Sequence, residues 1–154
     1  MPELLDQISG RVPLLIEAKS GWTGHGPFEQ QIARDLAAYG GPVAVASFDP
    51  RCIAAFAEAA PDVPRGLVSC RFDDPRVWRR LSAWQRFFLR HLLGSSVASP
   101  QFIAYDIRAL PAMAPLLARQ LLRWPLLTWT VRTEAELARA RRWADAMIFE
   151  GFRP

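Results

Sequence analysis

The sequence predicts an α/β fold built of βα units, and three observations carry that prediction. Short apolar runs rich in β-branched or aromatic residues recur along the chain, each followed by a turn signal and then by residues of helical period. The runs are apolar on both faces instead of strictly alternating, the pattern of parallel strands covered by helices. Six such runs occupy 154 residues, whereas a closed (β/α)8 barrel takes eight strands and roughly 250 residues. The architectures that remain are a doubly wound open sheet and an incomplete barrel.

The elements follow in order. A short amphipathic piece, Glu3 to Ser9, precedes the first strand, Val12 to Glu17. A helix over Glu29 to Tyr39 leads to a strand over Val43 to Phe48. Asp49-Pro50 then supplies a carboxylate N-cap and a proline at the first helical position, which opens a helix from Pro50 to Ala59. Next come a strand from Gly66 to Ser69, a helix from Val77 to Leu93, a strand from Phe102 to Ile107 and a helix from Pro111 to Leu122. The strand Leu126 to Val131 is followed by Thr133-x-x-Glu136, a capping box in which each side chain satisfies an orphan amide, at the head of a helix from Glu134 to Trp143. Ala146 to Phe149 is the last strand. No internal repeat beyond this rhythm, no low-complexity tract and no linker interrupts residues 1–154, which predicts a single domain.

With 51% apolar and 22% charged residues the chain is neither disordered nor a membrane span. No window approaches the ~18 uninterrupted apolar residues of a bilayer helix, and Met1 to Asp6 lacks the basic flank and apolar run of a signal peptide, so a cytoplasmic location is expected. Cys52 and Cys70 lie far apart, outside any Cys-x-x-Cys pair, and read as free thiols. The formal charge of +4 and a pI near 9.8 would permit an acidic partner. The cations are nevertheless scattered and interrupted by Asp and Glu, as on solvated helix faces, so nucleic acid is not the expected partner. Nearly all of them are Arg, and Lys19 is the only lysine.

That lysine sits in the most informative segment, Leu14-Leu15-Ile16-Glu17-Ala18-Lys19-Ser20. Residues two apart on a strand project from one face, so Glu17 and Lys19 point together from the C-terminal end of an apolar strand, where barrels collect their catalytic groups. A carboxylate there can hold a divalent cation and an ammonium can meet a phosphate; an ion pair closing the strand end is the competing reading. The Gly21-Trp22-Thr23-Gly24-His25-Gly26 turn lacks the order of a phosphate-cradling loop and reads as a surface loop. His25 and His91 have no evident acid or nucleophile partner and read as surface histidines. Ser47, Asp49, Tyr105, Asp106, Thr128, Thr130 and Glu150 would form a pocket if they converged, although capping accounts equally for Asp49. The Trp84 to Leu93 stretch suits either the outer helix of a barrel, the favoured reading, or peripheral contact with a membrane.

At Leu14 to Lys19 the chain resembles the glycerophosphodiester phosphodiesterase family, in which an apolar strand ends in Glu-x-Lys. The resemblance continues in order through Val45 to Pro50, Pro61 to Val68, Phe102 to Asp106 and Thr128 to Val131, and so covers essentially the whole chain. It implies an incomplete TIM (β/α)8 barrel whose six βα units correspond to strands 3–8. It also implies metal-dependent hydrolysis of glycerophosphodiesters to an alcohol and glycerol 3-phosphate. By the resemblance Glu17 is a ligand to a divalent cation, Mg2+ or Ca2+, Lys19 contacts the phosphoryl group, and Trp129 lines the glycerol pocket.

The family's first strand, ending in His-Arg-Gly, its Glu-Asn-Thr segment and its second strand with further acidic ligands and a second histidine have no counterpart in this sequence. The last strand ends in Phe149-Glu150-Gly151-Phe152 where many relatives have Thr-Asp. The resemblance therefore implies an N-terminally truncated chain that carries no catalytic histidine and is inactive by itself. Unpaired edges at Val12 to Glu17 and at Ala146 to Phe149 would favour self-association. The alternatives are a non-catalytic remnant that binds phosphate or lipid head groups through Glu17 and Lys19, and an open-sheet nucleotide binder, against which the missing phosphate-loop fingerprint counts.

Overall fold

The computed structural model describes residues 1–22 and 26–153; His25 and its neighbours Thr23 and Gly24 lie outside the described residues. Six strands and seven α-helices are present among them. In chain order they are α1 (Pro2–Ile8), β1 (Leu14–Glu17), α2 (Pro27–Ala37), β2 (Val43–Ser47), α3 (Pro50–Ala59), β3 (Arg65–Ser69), α4 (Ala83–Arg90) and α5 (Ser95–Ala98). There follow β4 (Phe102–Asp106), a 3-10 turn (Ile107–Ala109), α6 (Met113–Leu121), β5 (Leu126–Val131), α7 (Glu134–Trp143) and β6 (Ala146–Phe149). The strands form one sheet in sequential order, β1 to β6, and the pairs β1–β2, β2–β3, β4–β5 and β5–β6 are parallel. Sequential parallel order is the order of a (β/α)8 barrel and not of a doubly wound sheet, which reverses at a switch point.

Two compact units divide the chain, residues 1–67 with 95–100, and residues 68–94 with 101–154. In the first, Glu17 is registered with Ala46, and Ala46 with Gly66. Its core joins Leu5 of α1, Ala18, Ile32 and Leu36 of α2, Val45 of β2, and Cys52 and Phe56 of α3, with Leu14 and Ile16 of β1 packed against them. α3 starts where the sequence says it should. The Asp49 carboxylate accepts from the Arg51 amide at 3.0 Å and Pro50 takes the first turn, where a missing N–H costs nothing.

In the second unit Tyr105 is registered with Thr128 and Asp106 with Trp129. The register between β5 and β6 shifts between Thr128 and Val131. The helix expected over Val77 to Leu93 is shorter. Ser82 accepts from the Gln85 amide while the Gln85 side chain accepts from the Ser82 amide, a reciprocal box that starts α4 there and leaves the preceding residues in turns. The box expected at α7 forms only in part. Thr133 accepts from the Glu136 amide at 3.2 Å, but Glu136 reaches past the cap to the Arg132 amide at 2.8 Å.

Candidate functional site

β1 buries alternate residues only in part: Leu14 and Ile16 turn toward the helices, and Leu15 and Glu17 toward the open face. The chain stays extended past the strand, because the Ala18 amide donates to the Ala46 carbonyl at 2.7 Å. Lys19 therefore falls on the same face as Glu17, two residues on. Its ammonium lies 4.0 Å from the Glu17 carboxylate, with the side chains 84% and 44% exposed. The two residues expected to point together do so. So exposed a pair contributes about 0–1 kcal/mol to folding, which leaves both charges open to a ligand.

The carboxylates and hydroxyls at the neighbouring strand ends are engaged elsewhere. Ser47 Oγ donates to the Ala18 carbonyl at 2.7 Å, and Ser20 Oγ to Asp49 Oδ2 at 2.7 Å, so Asp49 both caps α3 and ties down the segment after Lys19. In the second unit, Thr128 Oγ1 donates to the Tyr105 carbonyl at 2.8 Å and Ser69 Oγ to the Leu89 carbonyl at 2.9 Å. Asp106 accepts from the Arg108 amide at 2.9 Å, and Glu150 pairs with Arg132 at 2.7 Å. These groups serve as caps, clamps and ion pairs within their own units. Trp129 is half-buried on β5, beside Thr128.

A divalent cation needs several oxygens, about six for Mg2+ and six to eight for Ca2+. Among the described residues no group of three or more His, Cys, Asp or Glu is placed to hold a metal. The described residues by themselves therefore do not fit a complete cation site, and Glu17 would offer such an ion a single carboxylate. His91, at the C-terminal end of α4, is exposed and packs against Phe87 with ring centroids 4.4 Å apart and planes tilted by 49°, the surface position expected of it. Cys52 and Cys70 are buried free thiols, as expected; burial pushes them up to about 12 and about 11, so neither is a thiolate at neutral pH.

The second unit also contains a cavity of about 430 Å3 that the sequence reading did not anticipate. Arg71, Asp73, Arg90, His91, Tyr105 and the start of α6 line it. Burial pushes the Tyr105 phenol up to about 12, and its hydroxyl donates to the Arg90 carbonyl at 3.0 Å.

No family model and no curated protein matches the sequence. Solved structures do. A protein from Silicibacter pomeroyi assigned as a glycerophosphoryl diester phosphodiesterase superposes with a TM-score of 0.71 at 22% identity, over 97% of this chain and 52% of its own. The glycerophosphodiester phosphodiesterase of Agrobacterium tumefaciens gives 0.60 at 14% identity, over 97% and 57%. An Oleispira antarctica phosphodiesterase, solved with its product sn-glycerol-3-phosphate, gives 0.62 at 15% identity, over 96% and 54%.

The chain has the fold of the matching part of these structures. It spans about half the length of each of these relatives, and the fold is an incomplete TIM barrel of six βα units. In TIM-barrel enzymes the active site lies at the C-terminal ends of the strands, and Glu17 and Lys19 stand at that end of β1.

Proposed function

We propose that the chain is the C-terminal part of a glycerophosphodiester phosphodiesterase, acting on glycerophosphodiesters to release an alcohol and glycerol 3-phosphate. The observation that carries the reading is the Glu17–Lys19 pair at the C-terminal end of β1 in a fold shared with such enzymes over nearly the whole chain. In this reading Lys19 meets a phosphoryl oxygen as a point charge, and its exposed ammonium suits that role. Glu17 contributes one carboxylate to a Mg2+ or Ca2+ site whose other ligands come from outside the described residues. The half-buried indole of Trp129 packs against the glycerol carbons. A cytoplasmic setting, self-association through the sheet edges and peripheral membrane contact go with the reading, and none of them is required by the chemistry.

A second reading is favoured by the exposed Glu17–Lys19 pair, around which the described residues assemble no metal-holding group: a non-catalytic protein that keeps the pair to bind a phosphate or a lipid head group. One experiment separates the two. Glycerol 3-phosphate is titrated into the purified chain with and without Mg2+ or Ca2+, and glycerophosphocholine hydrolysis is followed in parallel. The catalytic reading expects turnover no greater than background from the chain alone, since an acid and a base each supply about 10²–10⁴ and the described residues place neither beside Glu17. It also expects cation-dependent glycerol 3-phosphate binding once the complementary βα segment is supplied. Tight binding by the chain alone, independent of cation and lost in Lys19→Ala, would favour the binder.

A further inference from the structure

Residues 71–91 hold six arginines and two aspartates, a net of +4. The rest of the chain has thirteen cations against thirteen anions and is neutral, so this window carries the whole net charge. Two of its arginines, Arg71 and Arg90, line the cavity of the second unit. The Arg71 guanidinium donates to the Arg108 carbonyl at 2.8 Å, a neutral acceptor. Asp73 is the one acidic residue among the described residues of the lining, to which the His91 ring also belongs.

The helices that meet at this cavity are apolar on the wrong side. α4 buries Leu89, and the opposite face presents Trp84, 70% exposed, Phe87, 47% exposed, and His91. The three rings form a ladder with centroids 5.5 and 4.4 Å apart. A surface helix normally turns charge outward and its apolar stripe inward. α6 repeats the inversion at i, i+4 and i+8, where Met113 and Leu121 are each 73% exposed and Leu117 also lies open. Met113 and Ala114, in a first turn that no side chain caps, line the cavity opposite Arg90 and His91 of α4.

We propose that this face of the second unit docks on an anionic phospholipid membrane, with Trp84, Phe87 and Met113 entering the interface and a lipid phosphate seated between Arg71 and Arg90. Aromatic and aliphatic side chains flanked by arginine are the composition of an interfacial helix, and a surface of concentrated positive charge is drawn to anionic lipid. A second copy of the chain would bring the same charge to the same face, and a two-fold contact would set the arginines against each other. Nucleic acid would use the arginines but leave the α6 stripe in water. The surface uses none of Glu17, Lys19 or Trp129, so it stands or falls apart from the catalytic reading.

The test is co-sedimentation of the full chain with vesicles of phosphatidylcholine alone and with about one third phosphatidylglycerol, at low and high salt. Binding is expected only with the anionic lipid, weakening as salt rises. Trp84→Ser with Phe87→Ser, and separately Arg71→Glu with Arg90→Glu, should each weaken it by about 10-fold or more, whereas Arg139→Glu with Arg141→Glu on α7, the same change in net charge, should weaken it by about 2-fold or less. Circular dichroism melting verifies that each variant is folded. Absence of binding to anionic vesicles overturns the proposal, as does an equal loss in the α7 variant. A concentration-dependent dimer that Trp84→Ser with Phe87→Ser dissolves would overturn it in favour of a second copy.

Discussion

Three strand-end hydroxyls act alike: Ser47, Ser69 and Thr128 each donate to a carbonyl at least twenty residues away. Thr128 is fully buried, so Thr128→Val keeps the shape and leaves the Tyr105 carbonyl without that donor; a loss of about 1–3 kcal/mol is expected in urea unfolding, with an unchanged slope. Asp145 is a second sensitive residue. Its carboxylate takes the Arg119 guanidinium at 2.6 Å and the Leu126 amide at 2.9 Å, and the bond to Arg119 holds it below the usual carboxylate range. A carboxyl whose pKa is lowered on folding stabilises above its unfolded value, about 3.9 for Asp, and that contribution is lost as the pH falls through the folded value. Asp145→Asn should therefore cost about 1 kcal/mol or less at pH 7, the pair being partly exposed, and its stability should change less than that of the wild type below about pH 4. The Glu17–Lys19 pairing was legible because strand period alone sets it. The clamps were not, because Ser47 and Thr128 find acceptors 29 and 23 residues away and local sequence carries no sign of them.

At the scale of elements, the starts of α3 and α7 were legible because Asp49-Pro50 and Thr133 act on amides within three residues. The start of α4 was hidden because Trp78 and Leu81 continue an apolar period that the Ser82 box interrupts. The charge window from Arg71 to His91 was hidden for a related reason: it spans turns and a helix, and no single element contains it. The edges make a further prediction. Among the described residues β1 pairs with β2 alone and β6 with β5 alone, and Leu15, Ile148 and Phe149 are exposed along these two strands. Such edges are templates for another chain, and Pro13, just ahead of β1, guards only its start. The isolated chain should self-associate at micromolar concentration, and Leu15→Lys with Ile148→Lys should shift static light scattering toward monomer. A wild-type chain that scatters as a monomer would mean that something other than a second chain satisfies those edges.

For the whole molecule, the fold class was legible in the recurrence of six apolar runs, since parallel order and helical cover follow from the βα rhythm. The division into two units was not, since it follows from packing at long range: α5, after α4 in sequence, packs against α3 of the first unit. Six βα units of a barrel's eight also limit what Glu17 and Lys19 do by themselves, and the pair is best tested in a protein completed by the complementary βα segment, as a fusion or in trans. In such a protein the two side chains have separable tasks. Glu17→Gln keeps the shape but removes the charge that attracts a divalent cation, while Lys19→Arg keeps a positive charge and alters only its geometry. Metal-dependent hydrolysis of glycerophosphocholine should thus fall more in Glu17→Gln than in Lys19→Arg. The Glu17→Gln protein should need a higher Mg2+ or Ca2+ concentration to reach half its activity, and the Lys19→Arg protein chiefly a higher KM. An unchanged cation requirement in Glu17→Gln would remove it from the metal site and leave the ion pair at 4.0 Å as a closure of the strand end.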